Sequence, residues 1–313
     1  MEKTLCAGVA LLMLTAPAVT AQAAVVSIDC TKKGTIGLAL AKLDRSLTNT
    51  INVTGTCTEN VVIDGHRDLT IAAQGAATLS PADPDLGTVW IIGSSRVRLT
   101  GLTVNSGFAG VQCDDRSVCL LRGVTIVGGI GGGLVLQKQS SADVIGGSIV
   151  NSSGNGIGVF GASSVNVSPG ENGSSAVISG HVGNGILVQD ASFLRTDDAT
   201  VTGNTIGVSA DRGAVIKLLG EQSNVSNNSG DGVSVRASTA QVTGSVKNNG
   251  GRGIRVLQLG YLAITGNTDL SGNGGDSVNC TNVTSVTNPR ILTGQSFVIL
   301  DPVPRTNCPN TNP

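Results

Sequence analysis

The chain is short of rings and of charge. Only 2% of its 313 residues are aromatic and 13% are charged. So few rings argue against a cleft that grips neutral sugars tightly by stacking. Charged residues stand at about half the usual share, and 40% of the chain is hydrophobic. That balance excludes a disordered chain, which would be charge-rich and poor in apolar residues. Net charge is −1, so nothing points to nucleic acid. After the first two dozen residues no apolar run approaches the length of a membrane span. Histidine is scarce too: His66 and His181 are the only ones.

Glycine is what the chain has in excess, with 44 residues, about twice the usual share. Val, Ile and Leu must then supply the core. The beginning reads as a leader. Lys3 opens a weakly charged region, "LCAGVALLMLTAPAV" is apolar but broken by Pro17, and "AQA" ends at Ala23 with the small residues of a cleavage site. Residues 1–23 are therefore expected to be a signal peptide. The mature protein is expected to be secreted, to the periplasm or the outside, without a membrane span. Cys30, Cys57, Cys113, Cys119, Cys280 and Cys308 follow the leader. An even number in an exported chain suggests disulfides. Local pairing would give Cys30–Cys57, Cys113–Cys119 and Cys280–Cys308, although spacing alone does not fix connectivity. The spacings do not resemble paired thiolate knuckles for a metal.

One short phrase recurs: "AGVQC" from Ala109, "GGLVL" from Gly132, "NGIGV" from Asn155, "NGILV" from Asn184, "NTIGV" from Asn204, "DGVSV" from Asp231 and "RGIRV" from Arg252. Copies are about 23 residues apart, a period that marks a solenoid. Between copies lie further alternating runs such as "SSVNVS" and "DATVTG", which read as strands. Three short strands per coil fit the period. A single coil cannot bury its apolar face, but a stack can. At the start, residues 34–47 ("GTIGLALAKLDRSL") are the best helix candidate, with Leu38, Ala41 and Leu43 expected over the first coil. After residue 280 the repeat fades into a proline-rich tail.

With "VRLTGLTVNSGFAGVQC", "NGIGV", "NGILV" and "DGVSV" in this spacing, the chain resembles the right-handed parallel β-helix proteins of the pectin-lyase-like superfamily. The resemblance covers roughly residues 50–280. The expected fold is all-β: a single-stranded right-handed parallel β-helix, with an N-terminal capping helix and a disulfide-linked C-terminal cap. The expected division is signal peptide 1–23, N-terminal cap 24–50, β-helix 51–280 and C-terminal cap 281–313. The superfamily includes polysaccharide lyases, glycoside hydrolases, epimerases and exported proteins without known catalysis, so fold does not decide activity.

Stacking turns sequence positions into columns about 4.8 Å apart. The position before each repeated glycine gives Gly132, Asn155, Asn184, Thr205, Asp231 and Arg252. Two outward columns follow: Gly158, Leu187, Gly207, Ser234, Arg255, and Phe160, Gln189, Ser209, Arg236, Leu257. These columns gather Asp231, Arg236, Arg252 and Arg255 on two neighbouring coils. Guanidinium forks suit sugar carboxylates and sulfates, so this is the candidate glycan site. Arg236, Arg255 and Asn184 are the candidate ligand contacts, and Asp231 with Arg252 the candidate catalytic pair. The plainer reading is that Asp231 satisfies turn amides while the arginines solubilise an exposed face. Asn155, Asn184 and Asn204 also suit stacked side chains that satisfy bends. Of the six rings, only Phe160 is expected on the candidate face.

Resemblance to polygalacturonases would require Asn-Thr-Asp, Asp-Asp, Gly-His-Gly and Arg-Ile-Lys on nearby coils. The chain offers Asp114–Asp115, Gly180–His181 and Arg252–Gly253–Ile254–Arg255, without an upstream Asn-Thr-Asp. Asp115 and His181 are nearly three coils apart, about 14 Å, whereas paired acids must flank one bond within about 5–9.5 Å. Asp114–Asp115 is better read as the tip of a disulfide-closed loop, and His181 as a turn residue or a general base. Asp197–Asp198 is the other acidic pair. Calcium there would need six or more oxygens, with Asp190 and Asp211 the only neighbours to help. No metal site or cofactor is expected.

The reading is an exported β-helix that recognises extracellular polysaccharide or a cell-surface glycan, with an acidic glycan favoured by the arginines. A polysaccharide lyase or related enzyme, and a non-catalytic structural or adhesive solenoid, are the alternatives.

Overall fold

The computed structural model describes residues 23–32 and 34–280, with backbone alone at 281 and 290–293. The expected leader up to residue 22 and Cys308 lie outside the described residues. Each coil holds three strands. The coil entered at Ser141 shows the plan, with strands Ser141–Ile145, Ser148–Val150 and Asn155–Val159. Each strand pairs in parallel with its counterparts one coil before and one coil after, as Ala142 does with Cys119 and Val165. First and second strands merge into a 19-stranded sheet that bends between them, and third strands form a separate 10-stranded sheet. These are called the long and short sheets below. The chain is an all-β parallel solenoid. Among the described residues no helix is long and apolar enough to cross a membrane.

Alternation along each strand decides what is buried. In the short sheet Leu134, Ile157, Ile186, Val208, Val233 and Ile254 form one inward column, each 0% exposed. Burying such a side chain is worth about 1.5–3 kcal/mol, and only the neighbouring coils provide that burial.

Register departs from expectation in one coil. Strand Ile206–Asp211 aligns Ile206, not Thr205, with Asn184, and Ser209, not Gly207, with Leu187. The reason is close packing of the bend glycines. A Cβ on Gly207 would lie 2.4 Å from Val225 Cγ1 and 2.5 Å from the carbonyl oxygen of Gly232. Gly207 therefore has to take its place beside Gly185 and Gly232. Matching the Asn of "NTIGV" to the Asn of "NGILV" shifts this coil by two residues.

Side-chain ladders satisfy the bends. The N–H and Nδ2 of Asn204 donate to Asn228 Oδ1 at 2.9 and 3.0 Å. Asn228 does the same to Asn249 at 3.1 and 2.9 Å, and Asn249 to Asn273 at 3.0 Å for both. His181 extends this column: its N–H donates to Asn204 Oδ1, and its Nδ1 accepts the N–H of Ser152, each at 3.0 Å. Asn204 therefore belongs to a different column from Asn155 and Asn184. A second ladder runs through Ser94, Ser117, Ser140, Ser163 and Ser192, each N–H donating to the next hydroxyl at 3.1–3.2 Å.

At the first coil, helix Ile36–Leu40 is shorter than the expected 34–47 and turned differently. Ile36, Ala39 and Leu40 are buried, while Leu38 is 64% exposed and Ala41 is exposed. Glu59 sets this orientation, accepting the N–H of Ile36 at 2.6 Å and of Gly37 at 2.9 Å. A carboxylate at the first turn satisfies amides that have no partner within the helix. Cys30 bonds to Cys57 and Cys113 to Cys119. Cys280 is disulfide-bonded as well. Beyond it, the backbone of Arg290–Thr293 adds a further strand beside Tyr261–Ile264.

Candidate functional site

Arg236, Arg252, Arg255 and Asp231 lie on strands Val233–Arg236 and Ile254–Leu257 of the short sheet and on the bends entering them. The structure brings three of the four together. Asp231 is only 8% exposed. Its Oδ1 accepts the N–H of Arg252 at 2.8 Å. The Arg252 guanidinium lies 3.7 Å from Oδ1, and that of Arg255 3.8 Å from Oδ2. One carboxylate thus spaces two guanidiniums. Arg252 and Arg255 keep 37% and 35% of their side chains exposed. Each guanidinium has five N–H donors, and each makes only one long contact to Asp231. The Nε of Arg255 is itself buried, with no hydrogen-bond partner among the described residues.

Arg236 turns the other way. Its Nε donates to Asp211 Oδ1 at 3.0 Å, and its Nη2 donates to Oδ2. This two-pronged hydrogen bond holds the Asp211 carboxyl below the ordinary carboxylate range. Asp211, 5% exposed, sits one strand from Arg236 in the same column. Aligning the coils on their asparagines puts Ser209 in that place and hides Asp211 as a partner. Aligning them on their glycines reveals it. Sequence reasoning also misses Asp276, which lies one strand beyond Arg252 in register and accepts from Asn279 Nδ2 at 2.7 Å.

The remaining candidates are already engaged. Asn184 donates through its N–H and Nδ2 to Asn155 Oδ1 at 3.0 and 2.9 Å. Asp114, 2% exposed, accepts from Asp115 N, Gln137 Nε2 and Lys138 Nζ at the bend that Cys113–Cys119 closes. His181 is 2% exposed and its Nε2 meets the carbonyl of Ile149 at 3.0 Å. With Nδ1 accepting from Ser152, both ring nitrogens serve the interior, and burial lowers the pKa. Asp197 pairs with Arg195, Asp190 with Arg212 and Asp211 with Arg236. Asp198 accepts the N–H of Gln222 at 2.9 Å. Among the described residues no group of three or more His, Cys, Asp or Glu converges on a point that could hold a metal.

Phe160 does lie on the outer face of the short sheet, and Trp90 joins it there, in the column of Arg255. A separate cleft of about 360 Å³ opens on the long sheet, beneath the turn at Gly170, Glu171 and Asn172, where Glu171 pairs with Arg122.

The profile described as "Right handed beta helix region" matches residues 87–243, half of the chain. The chain belongs to the right-handed β-helix family. Its repeated phrases and its solenoid agree with the pectin-lyase-like resemblance. Among solved structures, this β-helix is similar to the pectate lyase Pel9A, with 11% identity, a TM-score of 0.52, and 88% of this chain and 77% of that chain covered. It is also similar to the A-module of the mannuronan C-5 epimerase AlgE6 of Azotobacter vinelandii, with 13% identity, a TM-score of 0.53, and 88% of this chain and 100% of that chain covered. At these identities the likeness is one of fold. No curated protein sequence matches the chain.

Proposed function

We propose that this β-helix is exported and recognises an acidic extracellular polysaccharide, with Arg252 and Arg255 as the carboxylate- or sulfate-binding pair. The observation that carries this reading is the difference between the arginines. Arg236 spends its fork on Asp211, whereas Arg252 and Arg255 each touch Asp231 at one long contact and keep donors exposed. Asp231 then acts as a spacer. It fixes the two guanidiniums and lowers the entropy lost when a ligand carboxylate arrives. A carboxylate already bonded to an amide and flanked by two cations suits this anchoring role better than acid–base work. The disulfides accord with an oxidising compartment. By their names, two similar folds act on pectate and on mannuronan. The reading requires no metal or cofactor.

Affinity electrophoresis through gels containing polygalacturonate, alginate, gellan or neutral dextran tests it. Retardation by at least one acidic polymer, lost in the R252A/R255A double variant, is expected. Unchanged retardation in that variant, or none in the wild type, overturns it. Appearance of an unsaturated uronate product would move the assignment to the lyase alternative.

A further inference from the structure

Resting on that reading, a second feature of the same face narrows the ligand. Phe160 is half-buried, and its ring lies over Gly158: a Cβ on Gly158 would sit 2.6 Å from the ring. The glycine lets the ring lie flat on the sheet, covered on one side and open to solvent on the other. Gln137 and Gln189 flank it on the neighbouring coils, each joined to the next through the strand backbone. The outward column beneath it runs Trp90, Gln112, Val135, Gly158, Leu187 without a charge, then reaches Arg255 four strands past Gly158. That separation is about 19 Å. In the column of Phe160 itself, Asp114 and Asp211 lie two strands to either side and are paired with Lys138 and Arg236. The face therefore carries a ring among uncharged and already paired groups at one end and the less engaged guanidiniums of Arg252 and Arg255 at the other.

We infer that Phe160 is a stacking platform for a neutral pyranose, and that the ligand is a sparsely acidic polysaccharide lying along the solenoid axis. An extended pyranose unit advances by roughly the spacing between strands. A glycan bearing one acid every few sugars can seat a neutral ring on Phe160 and a carboxylate at Arg252 and Arg255. A polyuronate would instead lay its further carboxylates on a surface whose charges are already paired, which costs their hydration.

The test uses gellan oligosaccharides, with one uronate in each four-sugar repeat, against polygalacturonate oligosaccharides of equal length. Trp90, the only tryptophan of the chain, lies on this face and serves as the fluorescent reporter, with calorimetry as the second readout. Phe160→Leu keeps an apolar cover over Gly158 but removes the ring. It is expected to weaken gellan binding about five- to tenfold, and Phe160→Tyr to restore it. The wild type is expected to prefer gellan. Unchanged gellan affinity in Phe160→Leu, or a preference for polygalacturonate, overturns this inference and leaves the arginine site standing. Failure of the wild type to bind either polymer overturns this inference, and the arginine site falls with it when alginate fails to retard the protein as well.

Discussion

Replacing His181 by Asn should leave the fold intact but remove much of its acid sensitivity. His181 stands in a column between Ser152 and a run of asparagines that begins with Asn204. Its Nδ1 accepts the N–H of Ser152 and its Nε2 meets the Ile149 carbonyl. An asparagine offers the same pair, Oδ1 to accept and Nδ2 to donate, as Asn204 does toward the His181 N–H and the Ile178 carbonyl. Protonation of the histidine turns Nδ1 into a donor that faces the Ser152 N–H. Burial lowers its pKa in the folded chain, while the unfolded chain titrates near the ordinary value of about 6.5. The unfolded state then binds the extra proton first as pH falls. Stability from the neutral ring is full above about pH 6.5 and is lost below it, by up to about 1.4 kcal/mol per pH unit. His66, also buried and also lowered, adds a similar slope. Urea unfolding of both proteins from pH 8 to pH 5 measures this. At pH 8, His181→Asn should lie within about 1 kcal/mol of the wild type. Below pH 6.5 its loss should be about half as steep. Parallel curves for the two proteins across that range would refute the argument. The carboxyl groups lowered by folding, Asp29, Asp44, Asp68, Asp211 and Asp269, lose their contribution only as pH falls below about 3.9, outside this window.

Asn228→Ala should cost about 2–4 kcal/mol in urea unfolding, because it strands the N–H and Nδ2 of Asn204, which donate to it in the interior. Gly207→Ala should cost about 3 kcal/mol or more, since its Cβ would press on Val225 and on the Gly232 backbone; a variant that melts like the wild type would contradict the glycine-aligned register of this coil. Arg236→Ala should lower stability by about 1 kcal/mol through loss of its bond to Asp211, yet leave polysaccharide retardation unchanged, in contrast to R252A/R255A. Cys113→Ser with Cys119→Ser should lower stability by about 2–3 kcal/mol, read as an earlier thermal transition.

The solenoid is legible in the sequence because its cause is periodic: apolar residues at every second position and a glycine phrase once per coil. The disulfides at Cys30–Cys57 and Cys113–Cys119 are legible because their members fall close together in the coil. The Ile206–Asp211 coil is easily misread because two kinds of repeat compete in "NTIGV". Asn204 belongs to the interior ladder and Gly207 to the bend, whereas in "NGILV" Asn184 and Gly185 stand side by side. Close packing ranks the glycine above the asparagine as the register mark. The serine ladder from Ser94 to Ser192 escapes notice for a related reason. Serine is common at bends, and only its recurrence at one phase of the coil distinguishes it. In the candidate site, the nearness of Asp231 to Arg252 and Arg255 follows from counting coils. The loss of Arg236 to Asp211 does not, because it depends on which neighbour a long side chain chooses within a column.

The most direct test of the account is arginine-selective labelling with phenylglyoxal, read by mass spectrometry with and without saturating gellan oligosaccharide. Arg252 and Arg255 should be protected by the glycan, while Arg98 and Arg195 on the long sheet label equally in both samples. Equal labelling of Arg252 and Arg255 with and without the glycan would contradict the central claim.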